Sequence, residues 1–307
     1  MISKISGIAI ICLGLWAGPA TAQVTRVPFE MNGSRMFLKV RVGQSDSLRF
    51  MFDTGGGEGV LIDSLTAEQA GVSRTDRKST EAVGVGGAQS AVSIPHQDIF
   101  LSKNLPLKDV ELTLMNLGQM NTGSATPIRG IIGYDLFHRY ITQIDFDQRQ
   151  LLLYEDIRKV DTAGYKVIPF EFKEGIMVPR IPVTITLAGG EQLSGKAIFD
   201  SGANINLLIF APFNNYYGLG AKTGATAALP GRGLNQPTRD LRASVKAMDI
   251  GGFHFGGDIP VRINVDVNAG QNKEYLGLLG FQMIRHFNVI LDYANQVIYL
   301  KSNHVLN

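Results

Sequence analysis

The stretch MFDTGGGEGVLID, residues 51–63, places one aspartate between an apolar run and a cluster of glycines. A second stretch, IFDSGANINLLIF at residues 198–210, repeats this arrangement with Asp200 in the position of Asp53. In each copy the apolar residues predict a buried strand, and the glycine two positions after the aspartate permits a tight turn. The sequence therefore puts two carboxyl groups in the same unusual setting, each at the end of a buried strand.

Both stretches belong to a longer internal repeat with an offset of 147 residues. The residue pairs preserved across this offset are Asp53 and Asp200, Gly71 and Gly218, Gly84 and Gly231, Gly86 and Gly233, Gly133 and Gly280, and Asp145 and Asp292. Residues 130–153 also align with residues 277–300 without a gap. Such a register over a long separation indicates a duplicated domain. We therefore predict an N-terminal lobe at residues 23–158 and a C-terminal lobe at residues 159–307, joined near residues 155–165.

Each lobe is predicted to be all-β with few short helices. Residues 37–42 and 181–187 alternate in polarity or carry β-branched side chains, and turn-forming residues bound them. One helix is predicted at residues 64–71, with Ser64 as its capping residue, and its counterpart at residues 212–218. The duplicated pattern thus favours two β-rich lobes of similar structure.

The first 22 residues have the features of an export signal. Lys4 supplies a positive start, residues 5–16 form an apolar stretch, and residues 20–22 are small. An uncleaved membrane anchor is the alternative, but the apolar stretch is shorter than the roughly 20 residues that span a bilayer. The export signal predicts that the mature chain is periplasmic or secreted. Cleavage would remove Cys12, the only cysteine, so the mature chain is also predicted to lack disulfides.

Composition and motifs argue against several classes of function. The formal net charge of +2 does not favour nucleic acid or an acidic membrane surface as the main partner, and no later segment is apolar enough for stable membrane insertion. The five histidines are scattered: His96, His138, His254, His286 and His304. Without paired zinc spacing, a phosphate-binding loop or a nucleophile elbow, the sequence predicts no metal and no cofactor.

A pair of buried carboxyl groups has a specific chemistry if the two turns meet across a pseudo-twofold axis. Adjacent carboxylates cannot both ionise comfortably, so they share one proton. One group then acts as an acid and the other as a base on a water molecule held between them. This chemistry makes Asp53 and Asp200 the candidate catalytic residues.

These motifs resemble the signature of the aspartic peptidases, which is Asp-Thr/Ser-Gly after an apolar strand, followed much later by two apolar residues and a glycine. Here residues 53–55 pair with residues 131–133, and residues 200–202 pair with residues 278–280. The resemblance covers nearly the whole mature chain. It implies two retropepsin-like β-barrel lobes on one polypeptide, related by a pseudo-twofold axis, as in bacterial exported members of the family.

The resemblance also implies a role for each part of the two motifs. Asp53 and Asp200 would form the catalytic pair. The residues that support their loops would be Thr54, Gly55, Ser201 and Gly202. Of these, the threonine and the serine would hydrogen-bond between the lobes. Residues 131–133 and 278–280 would pack beneath the loops without taking part in the chemistry.

Two glycine-rich segments occupy the places of the flaps that cover the substrate. They are residues 82–92, AVGVGGAQSAV, and residues 229–236, LPGRGLNQ. The substrate-binding flap residues would be Gly84, Val85, Gly86, Gly87, Gly231 and Gly233. Ordinary hairpin loops are the alternative. The chain departs from the family pattern at Gly56, where alanine or serine is usual, and in the first flap, which has no tyrosine.

The favoured hypothesis is an aspartic endopeptidase that acts as a monomer on a peptide or protein substrate. The alternative is a non-catalytic protein that holds extended peptides by strand addition in the same cleft. The softer loop at Gly56 and Gly57 and the missing flap tyrosine give this alternative some weight. A glycosidase with two carboxylates is a weak third hypothesis, because such enzymes space their carboxyl groups around a sugar ring and lack the duplicated motif.

Overall fold

A computed structural model describes residues 25–73, 75–84, 87–101, 105–122, 126–173, 175–232 and 237–303, without the side chains of residues 227–239. The predicted export signal at residues 1–22 lies outside these ranges, as do Val85, Gly86, Gly233 and His304.

The described chain is mostly β-strand. In chain order the strands are β1 (Thr25–Pro28), β2 (Glu30–Asn32), β3 (Arg35–Val42), β4 (Leu48–Phe52), β5 (Val60–Asp63), β6 (Lys78–Gly84), β7 (Gly87–Leu101), β8 (Leu105–Met115), β9 (Gly130–Ile132), β10 (Ile141–Asp145), β11 (Gln150–Tyr154), β12 (Lys166–Pro169), β13 (Glu171–Lys173), β14 (Ile176–Thr186), β15 (Gln192–Asp200), β16 (Leu207–Ile209), β17 (Thr226–Arg232), β18 (Pro237–Ile250), β19 (Phe253–Asn264), β20 (Tyr275–Gly280), β21 (Phe287–Asp292) and β22 (Val297–Ser302). The helices are α1 (Ser64–Gln69), α2 (Gly118–Asn121), α3 (Tyr134–Phe137), α4 (Ala211–Tyr217), α5 (Leu219–Lys222) and α6 (Phe281–Ile284).

Each lobe contains an eight-stranded sheet, and the two sheets have the same strand topology. The first has the strand order β2-β3-β4-β9-β5-β8-β7-β6, and an additional pairing of β3 with β7 folds the sheet back on itself. The second has the order β13-β14-β15-β20-β16-β19-β18-β17, with β14 pairing β18 in the same way. Each strand of one lobe therefore has a counterpart in the other. The predicted all-β architecture of two similar lobes with few short helices is confirmed.

A third sheet joins the lobes and contains the pseudo-twofold axis. Its order is β1-β11-β10-β21-β22-β12, with three strands from each half of the chain. At its centre β10 and β21 are antiparallel, and Gln143 lies opposite Ile290, its own equivalent in the repeat. The predicted lobe boundary at residues 158 and 159 falls in a short 3-10 helix, Ile157–Lys159, between β11 and β12.

The helices are short, and one predicted cap is wrong. Asp63, not Ser64, caps α1: Asp63 has an extended backbone, and its carboxylate accepts a hydrogen bond of 3.1 Å from the backbone N–H of Thr66. Gly218 follows α4 in the left-handed conformation that the sequence predicts for a helix end. In the described part of the chain, no helix combines the length and the hydropathy that crossing a bilayer would require.

The strands that lead to the two aspartates lie in the core. On β4 the side chains of Phe50, Met51 and Phe52 are buried, and on β15 those of Ala197 and Phe199 are buried. β4 pairs in parallel with β9, and β15 pairs in parallel with β20. Each aspartate is therefore delivered to the end of a rigid central strand, which fixes its backbone position.

Candidate active site

The structure brings Asp53 and Asp200 together. Both carboxyl groups accept a hydrogen bond from the backbone N–H of Gly202, and both residues are half-buried. Each carboxyl group also lies over the glycine of the opposite loop. A Cβ atom added to Gly55 would lie 2.6 Å from Cγ of Asp200, and one added to Gly202 would lie 2.5 Å from Cγ of Asp53. Only glycine leaves room at these two positions for the carboxyl groups to meet.

Reciprocal hydrogen bonds between Thr54 and Ser201 tie the two loops together. The backbone N–H of Thr54 donates to Oγ of Ser201 at 3.0 Å, and the backbone N–H of Ser201 donates to Oγ1 of Thr54 at 2.9 Å. The threonine hydroxyl donates in turn to the backbone carbonyl of Phe199 at 2.6 Å. Both side chains are fully buried. This network holds the two carboxyl groups in register across the lobes.

Backbone N–H groups surround each carboxyl group. Oδ1 of Asp53 accepts from Gly55 N at 2.8 Å and, across the lobes, from Gly202 N at 3.2 Å. Oδ1 of Asp200 accepts from Gly202 N at 2.8 Å and from Ala203 N at 3.0 Å. The N–H of Gly202 is therefore shared between the two groups.

The two carboxyl groups differ in their affinity for a proton. Burial raises the pKa of Asp53 above its ordinary value. Burial raises the pKa of Asp200 further, and the charge of Asp53 is the second cause. Over a range of pH the pair therefore shares one proton.

The two apolar-apolar-glycine motifs support the loops from below. The backbone N–H of Asp53 donates to the carbonyl of Ile132 at 3.0 Å, which extends the parallel pairing of β4 and β9. A Cβ atom on Gly133 would lie 2.6 Å from the carbonyl oxygen of Asp53, and one on Gly280 would lie 2.3 Å from that of Ile205. Both glycines are needed because backbone passes directly over them.

The predicted flaps are hairpins. Gly84 and Gly87 pair at the end of the hairpin β6–β7, and Gly87 has a φ of +104°. Gly231 lies in the hairpin β17–β18, opposite Thr238. The role of these residues in covering a substrate stays a prediction.

Sequence reasoning missed an aromatic cluster close to the aspartates. Tyr293 is buried, and its ring lies 5.3 Å from both Phe137 and Phe170 and 5.9 Å from Tyr134. Burial raises the pKa of Tyr293 well above its ordinary value, and the charge of Asp53 is the second cause. The tyrosine therefore stays neutral. The repeat carried a signal for this position, because the same offset places Tyr293 on an aromatic residue of the first lobe, Phe146.

The repeated aspartates outside the two loops cap turns. Asp145 accepts a hydrogen bond from Gln148 N at 2.9 Å, and Asp292 accepts one from Asn295 N at 3.1 Å. His286 is half-buried and lies against Phe255. Among the residues that the structure describes, no group of three His, Cys, Asp or Glu side chains is arranged to hold a metal ion.

Comparisons with known proteins agree with the resemblance and with the fold. Residues 38–136, most of the first lobe, match the family model described as aspartyl protease. The fold is similar to that of the aspartic proteinase from Irpex lacteus, with a TM-score of 0.54 and 15% sequence identity over 92% of this chain and 98% of that chain. No curated protein matches the sequence. The resemblance to the aspartic peptidases is therefore confirmed, by the family's model in the first lobe and by the family's fold across both lobes.

Proposed function

We propose that the protein is an aspartic endopeptidase in which Asp53 and Asp200 act together on a water molecule. The observation that carries this proposal is the adjacent pair of carboxyl groups, one from each lobe, that share the backbone N–H of Gly202. The interlocked side chains of Thr54 and Ser201 give the pair a fixed geometry before a substrate arrives. Such preorganisation is what general acid–base catalysis needs.

We assign the shared proton to Asp200, whose pKa is raised well above its ordinary value, and the negative charge to Asp53. The carboxylate of Asp53 takes a proton from the water, whose oxygen forms a bond to the carbonyl carbon of the peptide. Asp200 gives its proton to the carbonyl oxygen, so that no full negative charge develops there. A proton then passes from Asp53 to the peptide nitrogen as the carbon–nitrogen bond breaks, and one hydroxyl group of the intermediate returns its proton to Asp200. The products are a carboxylic acid and an amine, and neither aspartate forms a bond to the substrate.

One polypeptide supplies both carboxyl groups, so we propose that the enzyme acts as a monomer on extended peptides or unfolded protein. The decisive experiment digests denatured casein and a peptide library from acid to neutral pH. Asp53→Asn and Asp200→Asn should each reduce kcat/KM by about a thousandfold or more, because each removes one of the two proton-transferring groups. Undiminished cleavage by either variant would overturn the proposal.

Asp145→Asn is the matched control. It changes another repeated aspartate, whose carboxylate accepts a turn hydrogen bond that an asparagine can also accept, outside the candidate site. This variant should cleave like the wild type. Measurable peptide binding without any products, across the same pH range, would instead support the non-catalytic peptide-binding protein.

We also propose that the chain is exported to the periplasm or secreted by a bacterium, on the strength of its first 22 residues alone. N-terminal sequencing of the protein recovered outside the cytoplasm should begin at Gln23. Recovery of a mature chain that retains Lys4 would contradict cleavage.

A further inference from the structure

A cavity of about 620 Å³ lies beside the second aspartate loop. One wall is formed by residues 204–207, which follow that loop, together with Gln282. The lining continues with residues 260–262 of β19 and residues 242–244 of β18, the next two strands of the same sheet after β16. Because β18 belongs to the hairpin predicted to be the second flap, the cavity lining extends from the candidate catalytic loop to a strand of that hairpin.

The first wall begins next to the catalytic pair. Ala203, whose backbone N–H donates to Asp200, is followed directly by Asn204, the first residue of the wall. Asn204 accepts a hydrogen bond of 2.6 Å from Gln282, and Asn206 donates one of 3.0 Å to the carbonyl of Pro260. The cavity therefore has a wall that is hydrogen-bonded on both sides and begins four residues along the chain from Asp200.

Two arginines face the cavity from neighbouring strands. Arg242 on β18 lies directly opposite Arg262 on β19, and both line the cavity. Like charges directly opposite each other in an antiparallel pair are destabilising. No acidic residue lines the cavity among the described side chains. An anionic group placed between the two guanidinium groups would relieve this repulsion.

Only one of the two arginines has an acidic partner in the described part of the chain. Nη1 of Arg262 lies 3.6 Å from Oδ2 of Asp240, which is itself buried. Arg242 is exposed and has no ion pair with any described residue. The aspartate thus anchors one guanidinium group while the other keeps an uncompensated charge at the cavity wall.

We propose that this cavity is a subsite that binds the carboxylate of a glutamate or aspartate side chain of the peptide substrate, with Arg242 as the residue that selects it. The inference rests on the proposed peptidase function. A guanidinium group matches a carboxylate through two parallel N–H donors. The cavity lining begins four residues along the chain from Asp200, which favours a substrate residue close to the cleaved bond.

The test uses peptides that are identical except for glutamate, glutamine or lysine at each of the three positions on either side of the cleaved bond. The wild type should prefer glutamate over glutamine at one of these positions by about tenfold in kcat/KM, as expected for a partly exposed charged hydrogen bond. Arg242→Gln should abolish that preference, and Arg242→Glu should reverse it in favour of lysine. The reversed preference is a gain that a misfolded variant could not show.

Lys246→Gln is the matched control. Lys246 is an exposed cation on the same strand, 3.6 Å from Asp258, and does not line the cavity. Its substitution removes the same charge and should leave the glutamate preference intact. Loss of the preference in this variant would show that the overall charge of the strand, and not the cavity, selects the peptide, and would overturn the inference.

Failure of the inference is distinguishable from failure of the proposed function. Cleavage without a glutamate preference at any position, or with a preference that Arg242→Gln leaves unchanged, would overturn the inference and leave the peptidase intact. If no peptide is cleaved, the peptidase proposal fails, and fluorescence anisotropy with the same labelled peptides tests the cavity alone. Tighter binding of the glutamate peptide that is lost in Arg242→Gln would support the subsite, and equal binding would overturn it.

Discussion

The loop that carries Asp53 and the loop that carries Asp200 follow one plan, but they surround their carboxyl groups differently. The second loop supplies both backbone donors to its own aspartate, from Gly202 and Ala203. The first loop supplies only one, and the other comes from Gly202 of the opposite lobe. In the first loop the N–H of Gly56 donates instead to the backbone carbonyl of Asp53 at 3.1 Å.

This difference shows that a duplicated site need not be symmetric in its energetics. The second loop supplies all the backbone donors to its own carboxylate. The first loop depends on the N–H of Gly202, in the second loop, for part of the stabilisation of its carboxylate. The glycines at positions 55–57 leave Thr54 as the side chain that holds the first loop. We therefore expect glycine substitutions in the second loop to reduce catalysis more than the equivalent substitutions in the first.

The largest difference is expected between Gly202→Ala and Gly55→Ala. Either added Cβ atom would collide with the opposite carboxyl group, but the Gly202 substitution also displaces the N–H that both aspartates share. Gly202→Ala should lower kcat/KM by more than about a hundredfold, as for a misplaced catalytic group, and Gly55→Ala should lower it less. Steady-state kinetics on a common peptide measures both, with thermal melting to confirm folding. Equal losses would contradict the asymmetry.

The two interlocking side chains should contribute unequally to the free energy of unfolding, with the larger contribution from Thr54. Thr54→Val removes the hydroxyl that bonds the N–H of Ser201 and the carbonyl of Phe199, so two buried groups lose their partner. We expect a loss of about 2–4 kcal/mol in the free energy of unfolding. Ser201→Ala removes one bond of 3.0 Å and a weak one of 3.5 Å, and should cost about 1–2 kcal/mol. Urea denaturation measures both, and a larger loss for Ser201→Ala would reverse the comparison.

The shared proton makes stability depend on pH. Because the pKa of Asp200 is raised on folding, the folded state binds more protons than the unfolded state, and the associated stabilisation is lost as pH rises from about 3.8 towards the folded pKa. Asp200→Asn removes this penalty. The Tm of Asp200→Asn minus that of the wild type should therefore increase between pH 4 and pH 7. Parallel Tm curves in calorimetry would show that the carboxyl is not perturbed.

The smallest effect is expected at Gly57. A Cβ atom there would meet no heavy atom within 4 Å, and the residue does not have a left-handed backbone. Gly57→Ala should therefore stabilise the protein by about 0.4–1 kcal/mol, because it restricts the unfolded chain. Chemical denaturation measures this gain. A destabilised variant would show that the first loop needs the freedom of its glycines.

The fold and the aspartate pair could be predicted because the same motif occurs in both halves of the sequence. The apolar strand, the aspartate and the glycine are local features, and the constant offset links the two copies. Other features depend on pairing that local sequence does not determine. The position of Arg242 opposite Arg262 follows from the register of β18 and β19, and the cap of α1 at Asp63 follows from a backbone angle.

The aromatic cluster around Tyr293 was also beyond local reasoning, since its members come from both halves of the chain. Phe137 belongs to α3, Phe170 follows β12, and Tyr293 follows β21. Their proximity results from the sheet between the lobes, and each residue alone has no distinctive neighbours in the sequence. The repeat could indicate that position 293 matters, but not what surrounds it.

The sheet between the lobes implies that the polypeptide does not need to be continuous. Each half contributes three adjacent strands, and the connector at residues 155–165 is largely exposed and adds no strand to any sheet. Severing it would remove no ladder hydrogen bonds. Two fragments produced separately should therefore reassemble into a folded heterodimer, held together by the pairing of β10 with β21.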